Sequence, residues 1–251
     1  MFIHNIDPVL FSIAGLQIRY YGLVYFLGFI FLYFYLKRMS EQGKIKNFSA
    51  EKLDAFLVYM LLGMLIGSRI FVYVFWYPQL LAQDPLILFK IWQGGMSFHG
   101  GLTGAIIAGY LFSKKYNVNF YTLADYTTIP AALFLFLGRI ANFINAELVG
   151  TITDKPWCTV FPGYDGCRHP YQIYEGLKNL GLFFGLLYAS TKNLPKGLMF
   201  FSFIFLYNFL RFFIDFFRDE PTLIISVGQA ISLVFVVVSA YFLITKYKIF
   251  K

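Results

Sequence analysis

The sequence predicts an all-α integral membrane protein of about seven transmembrane helices, with the N-terminus outside, the C-terminus cytoplasmic and a looped extracytoplasmic cap. Three observations predict it. Hydrophobic residues make up 59% of the 251 and charged residues only 14%, against about 25% charged in an ordinary soluble domain. Apolar runs near the ~20 residues needed to cross a bilayer recur along the chain. Lys and Arg cluster after alternate runs, as orientation signals do.

The first run covers residues 18–36 and is entered by Tyr20-Tyr21-Gly22. The stretch before it lacks a basic start, an apolar core and a small-residue cleavage site, so the run is expected to be an uncleaved anchor. Further runs cover residues 53–77, 99–112, 127–145, 173–189, 197–217 and 225–245. The third is short, which suits a tilted or partly re-entrant helix. Within it, Gly100-x-x-x-Gly104 and Ala105-x-x-x-Gly109 are spacings for close helix packing. Arg69, in the second run, reads as a structural arginine.

Basic residues follow the first run (Lys37, Arg38, Lys44, Lys46, Lys52), the third (Lys114, Lys115), the fifth (Lys192, Lys196) and the last (Lys246, Lys248, Lys251). The intervening segments are poorer in Lys and Arg and carry Asp84, Asp154, Asp165, Asp219 and Glu220. The positive-inside rule then sets the orientation. No repeat or linker breaks the chain, so residues 1–251 form one polytopic domain. Residues 146–171, with Pro156, Pro162, Gly163, Gly166 and Pro170, form an extracytoplasmic loop.

The net charge of +8 does not point to nucleic acid, because the basic residues lie between apolar runs. Cys158 and Cys167 form no CxxC and have no histidine cluster, which argues against a zinc site. They fall outside, where a disulfide is permitted; a staple and two free thiols both fit the sequence.

Four polar groups gather near the outer face. Arg139, Asn142, Asn145 and Glu147 end an otherwise apolar run, and Arg139 and Asn142 share a helix face. An arginine embedded in such a run faces protein or a polar cavity. Tyr207, Arg211, Asp215 and Arg218 also fall on one face, with Arg211 and Asp215 spaced as an ion pair. Gly94-Gly95-Met96-Ser97-Phe98-His99-Gly100-Gly101-Leu102 puts His99 at a helix start, where a structural histidine and a base near neutral pH both fit. Arg168-His169-Pro170-Tyr171-Gln172-Ile173-Tyr174-Glu175 opens the fifth run, with Tyr171 and Tyr174 read as interfacial belt residues and His169 and Glu175 as braces. Several arginines with few acids suit a phospholipid headgroup, since guanidinium donates two parallel hydrogen bonds to phosphate. Two classes fit: a lipid-modifying transferase, and a transporter or flippase for an anionic lipid or solute. A transporter usually shows repeats and interrupted helices near the midplane. Here the polar groups sit toward one face, which favours the enzyme.

The segment Gly138-Arg139-Ile140-Ala141-Asn142-Phe143-Ile144-Asn145-Ala146-Glu147-Leu148-Val149-Gly150 closely resembles the signature of the bacterial prolipoprotein diacylglyceryl transferases. The Tyr20-Tyr21-Gly22-Leu23, 94–102, 168–175 and 211–218 blocks resemble that family as well. The resemblance implies transfer of the diacylglyceryl group of phosphatidylglycerol to the lipobox cysteine thiol of a prolipoprotein signal peptide. It implies a thioether product, release of glycerol phosphate, and a bacterial cytoplasmic (inner) membrane location with the active site toward the extracytoplasmic face. It implies that Arg139 and Arg211 bind the lipid phosphate and that His99 is the base for the thiol. Tyr21, Asn142, Glu147, Tyr207 and Arg218 would line the site, and Gly150 would shape the turn after the signature helix. No metal or organic cofactor is implied. The family carries Glu where this chain has Asp215, which by resemblance braces Arg211.

Overall fold

The computed structural model describes residues 1–13, 16–91, 94–220 and 225–248; the side chains at positions 13, 16, 25, 98 and 99 are outside that description. The chain divides into two compact units, Met1–Leu32 with Asp125–Lys251, and Tyr33–Ala124.

Among the described residues, seven helices of 17 residues or more appear, in the order read from the apolar runs. They are α1 (Tyr20–Glu41), α2 (Ala50–Phe71), α4 (Phe98–Tyr116), α5 (Phe120–Ile144), α6 (Tyr171–Ala189), α7 (Leu198–Ile214) and α8 (Val227–Thr245). A short helix, α3 (Pro78–Gln83), follows a π-helical extension of α2 over Val72–Trp76. Among the described residues, five segments are long and apolar enough to cross a membrane: Tyr20–Glu41, Ala50–Trp76, Phe120–Ile144, Leu198–Phe217 and Val227–Thr245. α4 is diluted by glycines and ends on Lys114 and Lys115, and α6 carries a polar face. The third run is nonetheless a 19-residue helix, longer than its apolar part. Large apolar side chains stand exposed on the helices, among them Phe26, Phe34, Leu62, Phe184, Val234 and Val237. Contiguous exposure of this kind belongs against lipid.

In the Tyr33–Ala124 unit, α2 and α4 pack along a glycine seam. Gly63 and Gly67 lie against Gly100 and Gly104 so closely that a methyl group at Gly104 would overlap the carbonyl oxygen of Gly63. Gly100-x-x-x-Gly104 therefore does the packing read from the sequence. Gly109 does not share in it, since a methyl there would make only ordinary contact with Phe120 at 3.7 Å. Phe48, Phe56, Tyr59, Phe112 and Tyr116 interlock edge to face or tilted around one end. Arg69 is structural, as read. It is buried, stacks on Tyr73 and donates to the carbonyls of Ile87, Leu88, Lys90 and Gly94, pinning the segment that leads to α4.

In the other unit, β2 (Val9–Ile13) and β3 (Leu16–Arg19) pair antiparallel, and β1 (Phe2–Ile3) pairs parallel with β4 (Thr159–Val160) of the 146–171 loop. α7 is preceded by Gly197 (φ +88°), which has no side chain to cap its first amides. Asp125 of α5 supplies one, accepting from Gly197 N at 2.6 Å and Phe200 N at 2.8 Å. α7 then packs on α6 and α8, with Phe201 stacked on Phe242 at 4.6 Å.

Substituting Gly104 by Val should force α2 and α4 apart and lower the thermal unfolding midpoint, overpacking being worth about 1–3 kcal/mol or more. Gly109→Ala should leave the midpoint close to wild type. Equal effects of the two would show that the seam does not depend on Gly104.

Candidate active site

The signature segment forms the end of α5 and the turn after it. Ala146 and Leu148 take left-handed backbone (φ +54° each), which turns Glu147 back onto the helix. Asn142 Nδ2 donates to Glu147 Oε2 and Asn145 Nδ2 to Glu147 Oε1, both at 3.1 Å. The two asparagines thus hold one carboxylate by both oxygens. Asn142 Oδ1 faces Arg139 Nη1 at 3.5 Å, as the shared helix face predicts. Glu147, however, is not the acid that Arg139 pairs with.

That acid is Glu175 of α6, whose Oε2 lies 3.3 Å from Arg139 Nη2. α6 buries Tyr171, Gln172, Glu175, Lys178 and Asn179 on one side and exposes Leu177 on the other. The other side borders an apolar groove of about 460 Å³ between Phe2, Phe143, Trp157 and Ile173. Among the described residues no charged group lines that groove, so the polar chemistry belongs to the first face. There Glu175 Oε1 also accepts from Lys178 Nζ at 2.7 Å. Lys178 Nζ in turn sits 3.8 Å from the Tyr207 ring centroid. On α7 and the 3₁₀ turn after it, Arg211 Nη1 donates to Tyr207 Oη and Nε to Asp215 Oδ2, each at 3.3 Å. Tyr171 Oη donates to Asp215 Oδ1. Tyr171 is therefore wholly buried in the charged cluster, and the belt role expected for it is replaced by bracing Asp215.

In direct ion-pair contact, Arg139, Lys178 and Arg211 face two carboxylates, Glu175 and Asp215, leaving one positive charge in excess, while Glu147 is held apart by the two asparagines. Each carboxylate engages a single nitrogen of its arginine, and a guanidinium carries five N–H donors. The arrangement can take an anion. Arg218 stands at the edge, paired with Glu220 at 3.2 Å and 6.0 Å from the Tyr171 centroid.

The loop over residues 146–171 is tied to this end of the unit at Gly150. Gly150 N donates to His169 O at 3.1 Å, and Thr151 N to Phe217 O at 2.9 Å. A Cβ on Gly150 would meet His169 O at 2.5 Å and Phe217 O at 2.7 Å, so only glycine fits between these two backbones. Arg168 Nη1 donates to Gly150 O at 3.1 Å and pairs with Asp219 at 2.7 Å. Beside it Cys158 and Cys167 are joined in a disulfide, which decides between the staple and the free thiols. Trp157 Nε1 donates to Tyr174 Oη at 2.7 Å, and that hydroxyl lies 2.9 Å from His169 Nδ1.

Tyr21 lies half-buried in the first turn of α1. His99 lies in the first turn of α4, in the other unit, and its side chain is outside the described residues. Lys178 was missed by sequence reasoning, although Glu175-x-x-Lys178 inside an apolar run is itself an ion-pair spacing.

The profile of the prolipoprotein diacylglyceryl transferase family matches residues 8–245. The chain belongs to the prolipoprotein diacylglyceryl transferase family. It is 38% identical over 236 residues to a phosphatidylglycerol–prolipoprotein diacylglyceryl transferase of Geobacter sulfurreducens, covering 91% of this chain and 90% of that one. It is 38% identical over 252 residues to that of Vibrio cholerae (97% and 93%), and 37% identical to that of Aeromonas hydrophila (97% and 92%). The family match over residues 8–245 takes in the segment that ends α5, turns through Glu147 and locks at Gly150.

Two outcomes are expected. Gly150→Ala should detach the loop, lowering the thermal midpoint of the purified protein, while Gly185→Ala, with open space around its Cβ position and ordinary helical backbone, should cost less. Burial, with Lys155 second, also holds the His169 pKa below the ordinary ~6.5. Folding then favours neutral His169, so its contribution is present above ~6.5 and lost as pH falls through the lowered value. The midpoint of wild type should fall more steeply with acid than that of His169→Asn. Parallel profiles would remove His169 as the titrating group.

Proposed function

We propose that this chain transfers the diacylglyceryl group of phosphatidylglycerol to the thiol of the lipobox cysteine of a prolipoprotein, the first step of bacterial lipoprotein maturation. The observation that carries the reading is the buried cluster of Arg139, Lys178 and Arg211 against Glu175 and Asp215, one positive charge in excess, in a chain of this family. A phosphodiester headgroup has the single negative charge that balances it.

The chemistry follows from that charge. The thiol loses its proton to His99; a free thiol with pKa about 8.5 is mostly protonated at neutral pH. The sulfur attacks the diacylglyceryl carbon bonded to the phosphate oxygen. A C–S bond forms, the C–O bond breaks, and the electron pair leaves with glycerol phosphate. Negative charge grows on the phosphate as it departs, and Arg139 and Arg211 stabilise it there. Asn142, Glu147, Tyr207 and Tyr21 line the site, Arg218 stands at its rim and Gly150 fixes the turn. Chemistry of this kind asks for no metal or organic cofactor. The chain is read as one polytopic domain of seven spans in the bacterial cytoplasmic membrane, N-terminus outside and site toward the extracytoplasmic face. The alternation of Lys and Arg supports this. The named relatives are transferases, and nothing in them favours the transporter or flippase reading.

Purified protein, phosphatidylglycerol and a synthetic lipobox peptide should give a peptide heavier by one diacylglyceryl group, detected by mass spectrometry. A Cys→Ser peptide should give none. Arg139→Ala and Arg211→Ala should each cut turnover by about 10²-fold or more in folded protein. Near-normal rates in either would remove that arginine from the phosphate site. His99→Gln should slow transfer most near neutral pH.

A further inference from the structure

Lys178 is the residue that turns this cluster from neutral to positive. It lies in the middle of α6, its side chain only 2% exposed. A lysine there is costly unless paired, and its partner is already shared. Glu175 takes Lys178 at 2.7 Å on one oxygen and Arg139 at 3.3 Å on the other. The shorter contact is with the lysine. Remove Lys178, and Arg139 and Arg211 are balanced by Glu175 and Asp215. An incoming anion would then have to displace a carboxylate from an arginine. With Lys178 present, Glu175 is satisfied by the lysine and the charge of Arg139 is left for the ligand. The ammonium also rests on the Tyr207 ring, and Tyr207 receives a hydrogen bond from Arg211. One side chain therefore touches the partners of both arginines.

We propose that Lys178 is a positioning residue for the reaction, sharing Glu175 with Arg139 so that Glu175 does not cancel the charge of that arginine, and supplying the positive charge that the lipid phosphate balances. This rests on the reading above that Arg139 binds that phosphate. Lys178 acts through Glu175 and does not itself touch the reacting atoms.

The test compares Lys178→Met, Lys178→Arg, Glu175→Gln and the Lys178→Met/Glu175→Gln pair in the full-length protein, reading KM for phosphatidylglycerol and kcat alongside the thermal midpoint. Lys178→Met should raise KM about tenfold or more, and Lys178→Arg should stay near wild type. Glu175→Gln added to Lys178→Met restores one excess positive charge, so KM should return most of the way. A lysine that merely braces the fold would lower the midpoint and leave KM unmoved, and a defect that Glu175→Gln fails to relieve would overturn the proposal. Should Lys178→Met not fold, Lys178→Arg and the double variant, which leaves no unpaired acid, decide the matter. Absence of transfer by the wild type would instead sink the transferase reading. Binding to mixed micelles with phosphatidylglycerol rather than phosphatidylcholine would then still test the role of Lys178. Preference for the anionic lipid in wild type, lost in Lys178→Met and regained in the double variant, supports it; no preference overturns it.

Discussion

The structure turns on one buried carboxylate. Glu175 is wholly enclosed and bridges Lys178 and Arg139. An ionised carboxylate taken out of water costs several kcal/mol, recovered only with well-placed partners. Two cations more than satisfy it, and the surplus is passed to Arg139. That constraint fixes the rotation of α6, which must keep Gln172, Glu175 and Lys178 inward while Leu177 stays outward. It also fixes the approach of α7, because Tyr207 must lie under the Lys178 ammonium.

The second arginine is arranged on the same principle with different parts. Asp215 takes Arg211 on one oxygen and the buried hydroxyl of Tyr171 on the other. Tyr171 opens α6 and Asp215 closes α7, so the two helices are tied by polar bonds at this end as well as by packing. The start of α7 is fixed separately, by Asp125 reaching from α5 to its first amides. Both ends of the helix that carries Arg211 are thus held by acids.

The loop over residues 146–171 adds rigidity where helices leave off. Its backbone is bonded at Gly150 to His169 and Phe217, its charges at Arg168 to Asp219, and its covalent frame at Cys158 to Cys167. Closing so short a loop with a disulfide removes about 2–3 kcal/mol of chain entropy from the unfolded state on the loop-closure account.

Much of this was written in local sequence. The long helices follow from apolar runs, because lipid demands internal backbone hydrogen bonding over a fixed length. The faces that place Arg139 beside Asn142, and Arg211 beside Tyr207 and Asp215, follow from helical spacing of three and four. What the tertiary structure decided were pairings across distance. Arg139 finds Glu175, 36 positions on, rather than the nearby Glu147, because the turn after α5 points Glu147 back at two asparagines. Tyr171 goes inside rather than to the interface, because α6 rotates its charged face onto α7. The cysteines join because their backbones are brought to a Cα separation of 5.5 Å. Helical periodicity fixes which residues share a face; which faces meet depends on how whole helices rotate and pack, and no local window of sequence contains that.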